Sequence, residues 1–488
     1  MTHSQHPISV LTARSPRANA IMFFESFLLN LAVLAILIVA LTFDYVTKFF
    51  SYWYVREIPY KTPVPFFGTD YHRVLGLRNT TEEVNTLYKE NPKEKYVGCI
   101  KSRIPDLIIK DPDAVQKVMS TDFSNFHCRG YGLDRSRDVC LRNNLFYAEG
   151  EKWTLLRRKF ELLLSTMNVK IEDSLHECLS GTNGDANVQQ LLSGILDVVF
   201  KDLLIDNNLE NSFVIKDARE TMQRRTLFDK IKSYIKDIFP SVYVMLRLNL
   251  LPEQYFSKYV QVIKESILMK DIEKTESISQ EEIYNDKPYK KGSDLETAYS
   301  YFALFIGEGY IPCHYVLTAL LYELAKNPEI QQKARSCVQN SQENDYLDMT
   351  LKEALRLYPA YSVITRKCVK TYTFPGKKLL LDKGVTINVP VEAIHRDEKY
   401  YDKPEEFNPE RFLKSDDNKL PYLPFGIGPR KCIGEQLATS IVRSVTANIL
   451  KKFEIGICDS TPENLKLTDH NFSRAIDNDV WLKFQPIY

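Results

Sequence analysis

Residues 425–434 read FGIGPRKCIG, and the chemistry open to this stretch decides the reading of the whole chain. Cys432 offers a soft thiolate suited to iron, and Gly426, Gly428 and Gly434 let the backbone approach a flat macrocycle closely. Phe425 would screen the sulfur from water, and Arg430 would pair with a carboxylate on the macrocycle's edge. The chain's own frequencies of Phe, Gly, Arg, Cys and Gly give about 3 accidental matches per 100,000 such chains. The pattern therefore outweighs the plainer alternative, a glycine-rich turn around a structural cysteine.

Working outward, the composition is that of a folded protein: 488 residues, 44% hydrophobic and 12% aromatic. Lys plus Arg number 64 against 63 Asp plus Glu, so the net charge of +1 supplies no field for nucleic acid. The nine cysteines (99, 128, 140, 178, 313, 337, 368, 432 and 458) form an odd set with no CxxC pair. That excludes both a disulfide framework and a structural zinc site, and places the bulk in a reducing compartment.

From Phe27 to Phe43 the chain reads FLLNLAVLAILIVALTF, extendable back to Ile21, which is enough to span a bilayer from about 21 to 43. The run passes directly into Asp44 and Tyr45 without a small-x-small cleavage site, so it reads as a retained anchor rather than a signal peptide. Arg14 and Arg17 precede it while Lys48, Arg56 and Lys61 follow, which leaves its orientation open. The sequons at Asn79 and Asn471 would carry glycans only on a lumenal body. The expected organisation is an anchor segment over 1–44, a hinge over 45–68 stiffened by Pro59, Pro63 and Pro65, and one catalytic body over 69–488.

Within that body, WTLLRRKFELLL and VLTALLYELAKNPEIQQKA carry apolar residues at helical spacing, and residues 150–335 read mostly as helix. The polar, irregular stretch 180–295 predicts loops. Short β-branched runs between 363 and 391, separated by Pro375-Gly376 and Lys383-Gly384, predict small strands. The fold class is mainly α with a small β portion (α+β).

F-x-x-G-x-R-x-C-x-G resembles the haem-binding signature of the cytochrome P-450 superfamily, and further blocks agree in order and spacing. Glu353 and Arg356 match its E-x-x-R helix, Pro409 to Phe412 its P-E-R-F segment, and Trp153 with Arg157 its W-x-x-x-R helix. Arg366 matches a further propionate partner, and His395 occupies the H-R-D position as a structural histidine. The resemblance covers about residues 56–445, and its wording is closest to insect microsomal members that handle xenobiotics. It implies the P-450 fold behind a single transmembrane helix, with Cys432 as axial ligand of heme b (iron-protoporphyrin IX). Phe425, Gly428, Arg430, Gly434, Trp153, Arg157 and Arg366 would line the cofactor, and Glu353, Arg356 and Arg411 would form a bracing network. It further implies a monooxygenase of small lipophilic substrates at the endoplasmic reticulum membrane, with its catalytic body cytosolic. Electrons would come from NADPH through NADPH-cytochrome P-450 reductase, with cytochrome b5 as a second donor. The basic residues Arg157, Arg158, Lys159 and Lys431 would form part of the donor's docking face.

The oxygen-activating segment of the family, A-G-x-[D/E]-T-[T/S], falls on Glu308 to Cys313, and only Gly309 survives. Ile311 replaces the acid and Pro312 the threonine, which keeps a second class open: an isomerase, dehydratase, peroxygenase or silent carrier. Pro312 has no N–H for the Glu308 carbonyl, so the helix is expected to open there. Glu308 would then face the cavity as a substitute acid-base catalytic group, while Cys313 and His314 would turn away.

Overall fold

The chain is described by a computed structural model, over residues 16–487 apart from 49, 66, 102–103, 134–135, 168–177, 180, 206–212, 224–225, 250–261, 267, 271–293, 340–344, 375–378, 414–420 and 471. Asn471, Arg14 and the Pro375-Gly376 turn lie outside the described residues. The first helix runs Pro16–Thr47, and within it Ser26–Tyr45 is long and apolar enough to cross a membrane and is not buried by the described residues. Beyond it Trp53 is fully buried, donating from Nε1 to the Cys99 carbonyl at 2.8 Å. Its ring lies over Gly98, where a Cβ would fall 2.4 Å from it, so only glycine fits beneath the indole. Tyr60 bridges Gly98 and Gly68 bridges Lys101, which lays the proline-dense stretch along the body.

The helix Ile311–Lys326 forms the centre of the molecule. With the residues before it, it too is apolar and long enough to span a bilayer, but it is mostly buried inside the protein and is a core helix. The helices Pro328–Gln339, Asp345–Leu357 and Glu435–Lys452 surround it. A four-stranded sheet stands to one side, in the order Tyr96–Lys101, Ile104–Ile109, Thr386–Val389, Ile364–Lys367. Its central pair is parallel and its outer pairs antiparallel. The expected small strands are therefore present, within a fold that is mainly α with a small β portion.

One expectation fails. The described residues of 180–295 are not mostly loop: Val188–Leu204, Phe213–Gln223, Leu227–Ile238 and Pro240–Met245 are helices. Their polar outer faces dominate the composition, while Leu192, Ile195, Leu196, Val199, Phe200 and Leu203 recur at three- and four-residue spacing on the buried side.

Candidate functional site

The thiolate loop enters the helix Glu435–Lys452, with Gly434 as its N-cap residue. Cys432 donates its N–H to the Phe425 carbonyl at 2.9 Å and Lys431 donates to the Gly428 carbonyl at 2.9 Å, so the loop closes on itself. Gly428 has φ +73°, and a Cβ there would sit 2.0 Å from the Met119 carbonyl oxygen. Gly434, by contrast, has open space where its Cβ would be. Cys432 is accessible, and it lines a cavity. Burial raises its thiol, and the Gly434 N–H acts in the opposite direction by bonding to the sulfur.

This cavity is lined by Cys432 and Phe425 together with Glu308, Pro312 and Cys313. Arg129, Arg366 and Arg430 converge on its wall. Arg366 is fully buried, with NH1 on the Thr365 carbonyl at 2.9 Å and, among the described residues, no partner for Nε or NH2. Arg430 donates from NH2 to the Ala148 carbonyl at 2.5 Å and stacks over Trp153 at 4.8 Å, leaving Nε without a partner. Arg129 lies 3.8 Å over the Phe146 ring and also has an orphan Nε. Burial lowers all three guanidiniums; the Arg129 charge lowers Arg366 and Arg430 further, and the Arg430 charge adds to the lowering of Arg366. Among the described residues none of the three forms an ion pair. Unpaired buried cations are costly, so the cavity edge is built for an anionic ligand. A flat group carrying carboxylates on one edge and a metal over Cys432 fits this donor set, as haem does.

Arg129 escaped the sequence reading; its only signal was an arginine followed by Gly130 and Gly132 in a stretch without helical period. Arg157 lines the cavity, but it donates from NH1 to the Lys431 carbonyl at 2.9 Å and from Nε to Glu161 at 2.9 Å. It thus also holds the backbone of the thiolate loop.

The three network residues come together as expected. Glu353 and Arg356 are completely buried and paired by two hydrogen bonds of 2.7 and 2.8 Å. Arg411 reaches Glu353 Oε1 at 3.3 Å, and the Asn408 N–H reaches the same oxygen at 2.9 Å. From there His395 Nε2 accepts the Leu423 N–H at 2.8 Å, two residues before Phe425. The network therefore ends on the thiolate loop.

Opposite Cys432 the helix opens as Pro312 requires. Phe305–Tyr310 form a π-turn immediately before it. Glu308 faces the cavity, held by Asn144 Nδ2 at 3.3 Å from Oε1, while Oε2 is buried without a partner. Burial raises its carboxyl to about 8, against which the Asn144 hydrogen bond and the charges of Lys236 and Arg129 pull. The orientation expected for Cys313 is wrong: it lines the cavity, buried, because the π-turn brings residues five apart onto one face. His314 does turn away, with Nε2 2.9 Å from the Gln189 carbonyl.

A family model described as Cytochrome P450 matches residues 58–482. Cytochrome P450 6B2 of Helicoverpa armigera is 27% identical, over 90% of this chain and 95% of that protein. Cytochrome P450 6B1 of Papilio polyxenes is 27% identical over 88% and 94%. Lithocholate 6-beta-hydroxylase of Mesocricetus auratus is 28% identical over 93% and 97%. A cysteine loop beneath an apolar cavity, an arginine-rich edge and a match that runs through nearly the whole body agree: the chain belongs to the cytochrome P450 family, the haem-thiolate monooxygenases.

Proposed function

We propose that the protein is a membrane-anchored monooxygenase of small lipophilic substrates that holds haem b through Cys432 and draws electrons from NADPH by way of NADPH-cytochrome P-450 reductase, with cytochrome b5 as a second donor. The observation that carries this reading is the Cys432 loop facing a cavity whose edge holds three unpaired guanidiniums. When bound, the group supplies the oxygen chemistry, in which one atom of dioxygen enters the substrate and the other leaves as water. Arg129, Arg366 and Arg430 would neutralise its carboxylates, Trp153 would support Arg430, and Phe425 would exclude water from the sulfur. Leu145, Phe200, Phe305 and Val316 on the far wall would desolvate the substrate. Glu308, protonated near neutral pH, would hold the proton that the absent threonine and acid would otherwise deliver.

The membrane reading rests on the Ser26–Tyr45 span and on a second apolar surface. Leu227, Phe228 and Ile231 are exposed on one helix, and Leu75 and Leu77 are exposed on a neighbouring segment. A hydrogen bond from the Tyr234 hydroxyl to the Val74 carbonyl ties the two together. Such a patch suits the interfacial zone of a bilayer, here the endoplasmic reticulum facing the cytosol.

Pro312 favours a second reading in which peroxide replaces reductase and dioxygen, as in a peroxygenase. One experiment addresses both. The reduced, carbon-monoxide-bound spectrum should be of thiolate type in the parent and lost in Cys432→Ser, since an alcohol is a far poorer donor. Its survival in that variant would end the assignment. NADPH consumption with reductase, set beside peroxide-driven turnover, then separates the two readings.

A further inference from the structure

The cavity is lined mostly by apolar side chains. Glu308 and Tyr361 also line it, and among the described residues Glu308 Oε2 and the Tyr361 hydroxyl are both buried without a hydrogen-bond partner. They belong to one cluster: after burial, the Glu308 charge is the largest influence on both the Tyr361 and the Tyr147 phenols. Tyr361 cannot swing away freely, because its ring stacks on Phe146 with centroids 5.4 Å apart and planes at 25°. Phe146 is itself pinned by its N–H to Asn144 Oδ1 at 2.8 Å, and the same Asn144 holds Glu308. Two rigidly mounted polar groups without partners among the described residues, in a cavity that Leu145, Phe200, Phe305 and Val363 also line, are costly unless a ligand completes them.

We propose that Glu308 and Tyr361 form a polar anchor for substrate, and that the cavity takes a neutral lipophilic molecule carrying one hydrogen-bond-accepting oxygen, a carbonyl or an ether. The inference rests on the cavity being the substrate site. Both groups offer O–H donors near neutral pH, since burial keeps the carboxyl protonated below about 8 and the phenol protonated throughout. Lys236 and Arg129, which act on Glu308, make the surroundings unfavourable to a cationic ligand. A site that hydrogen-bonds its ligand rejects the analogue lacking that atom more sharply than an apolar wall separates molecules by size. The anchor would therefore set which substrates enter and how they are oriented, ahead of any chemistry.

The test is calorimetric binding of cyclooctanone and of cyclooctane to the full-length haem-loaded protein, to Tyr361→Phe and to Glu308→Leu. The parent should prefer the ketone by tenfold or more, and each variant should lose about three- to tenfold of that preference while its cyclooctane affinity stays within about twofold. Haem content and the carbon-monoxide spectrum are recorded on each sample, so a failed haem assignment is recognised separately. If the parent shows no preference for the ketone, or if both variants keep it in full, the anchor is overturned. Cyclooctyltrimethylammonium, which cannot ligate a metal, should bind more weakly than the ketone. Tighter binding would overturn the neutral-acceptor class.

Discussion

Arg356 and His395 hold each other twice: Arg356 NH1 donates to the His395 carbonyl at 2.7 Å, and His395 Nδ1 donates to the Arg356 carbonyl at 3.1 Å. With Nε2 accepting from Leu423, the imidazole is fixed as the neutral Nδ1–H tautomer. A proton on Nε2 would abolish the bond to the thiolate loop.

A pH dependence follows. Burial depresses His395 from 6.5 to about 3. Its contribution to stability is therefore complete above the unfolded value near 6.5 and falls away as pH drops toward 3, because the unfolded chain takes up a proton that the native state refuses. The slope from this residue is up to about 1.4 kcal/mol per pH unit within that window. Denaturant unfolding at pH 7.5 and 5.0 should show the loss in the parent and a flatter profile in His395→Gln; equal profiles would rule His395 out as its source.

Gly428 should tolerate no side chain. A methyl group would meet the Met119 carbonyl at 2.0 Å on a backbone of φ +73°, and neither side of that contact is a flexible side-chain end. Gly428→Ala should cost about 3 kcal/mol or more and depress haem incorporation. Gly434→Ala meets no protein atom within 4 Å, and because Gly434 lines the cavity it should leave the fold intact while lowering haem incorporation. Haem-to-protein ratio measures both.

Glu308 acting as an acid gives a further pH limb. Its protonated form predominates below about 8, so peroxide-driven oxidation should hold up to that pH and decline above it. Glu308→Ala should turn over more slowly and lack the limb. A parent profile that stays flat from pH 7 to 9.5 would remove Glu308 from proton transfer.

Within the proposed docking face for an electron donor, Arg157 pairs with Glu161 and Lys431 with Glu435. Arg158, exposed on the same helix, is the residue to reverse. Arg158→Glu should slow reductase-driven haem reduction several-fold at low salt and spare reduction by dithionite. Equal reductase rates would eliminate this surface.

Residues whose chemistry demands one type at a fixed short spacing were legible in the chain. Cys432 with its glycines, and Glu353 with Arg356 one helical turn on, needed no tertiary information. Arg129 was not legible, because it reaches the cavity edge beside Arg430 only through the folded chain, some 300 positions away in sequence. Cys313 was misplaced because counting by 3.6 residues fails across the π-turn Phe305–Tyr310, which changes the phase of everything after it. Tyr361 carries no motif at all, and its role comes from stacking on Phe146.

Trp53, locked beneath the sheet, sets how far the body can stray from its mooring. The first helix ends at Thr47, so only residues 48–52 separate it from the buried indole. Five residues reach at most about 17 Å when fully extended. With the apolar span in a bilayer, the protein is thus a short-leashed rider on the surface, unable to tumble freely above it. An electron donor fixed in the same sheet of lipid would meet it by lateral diffusion in two dimensions, and encounter rates would follow surface density rather than bulk concentration.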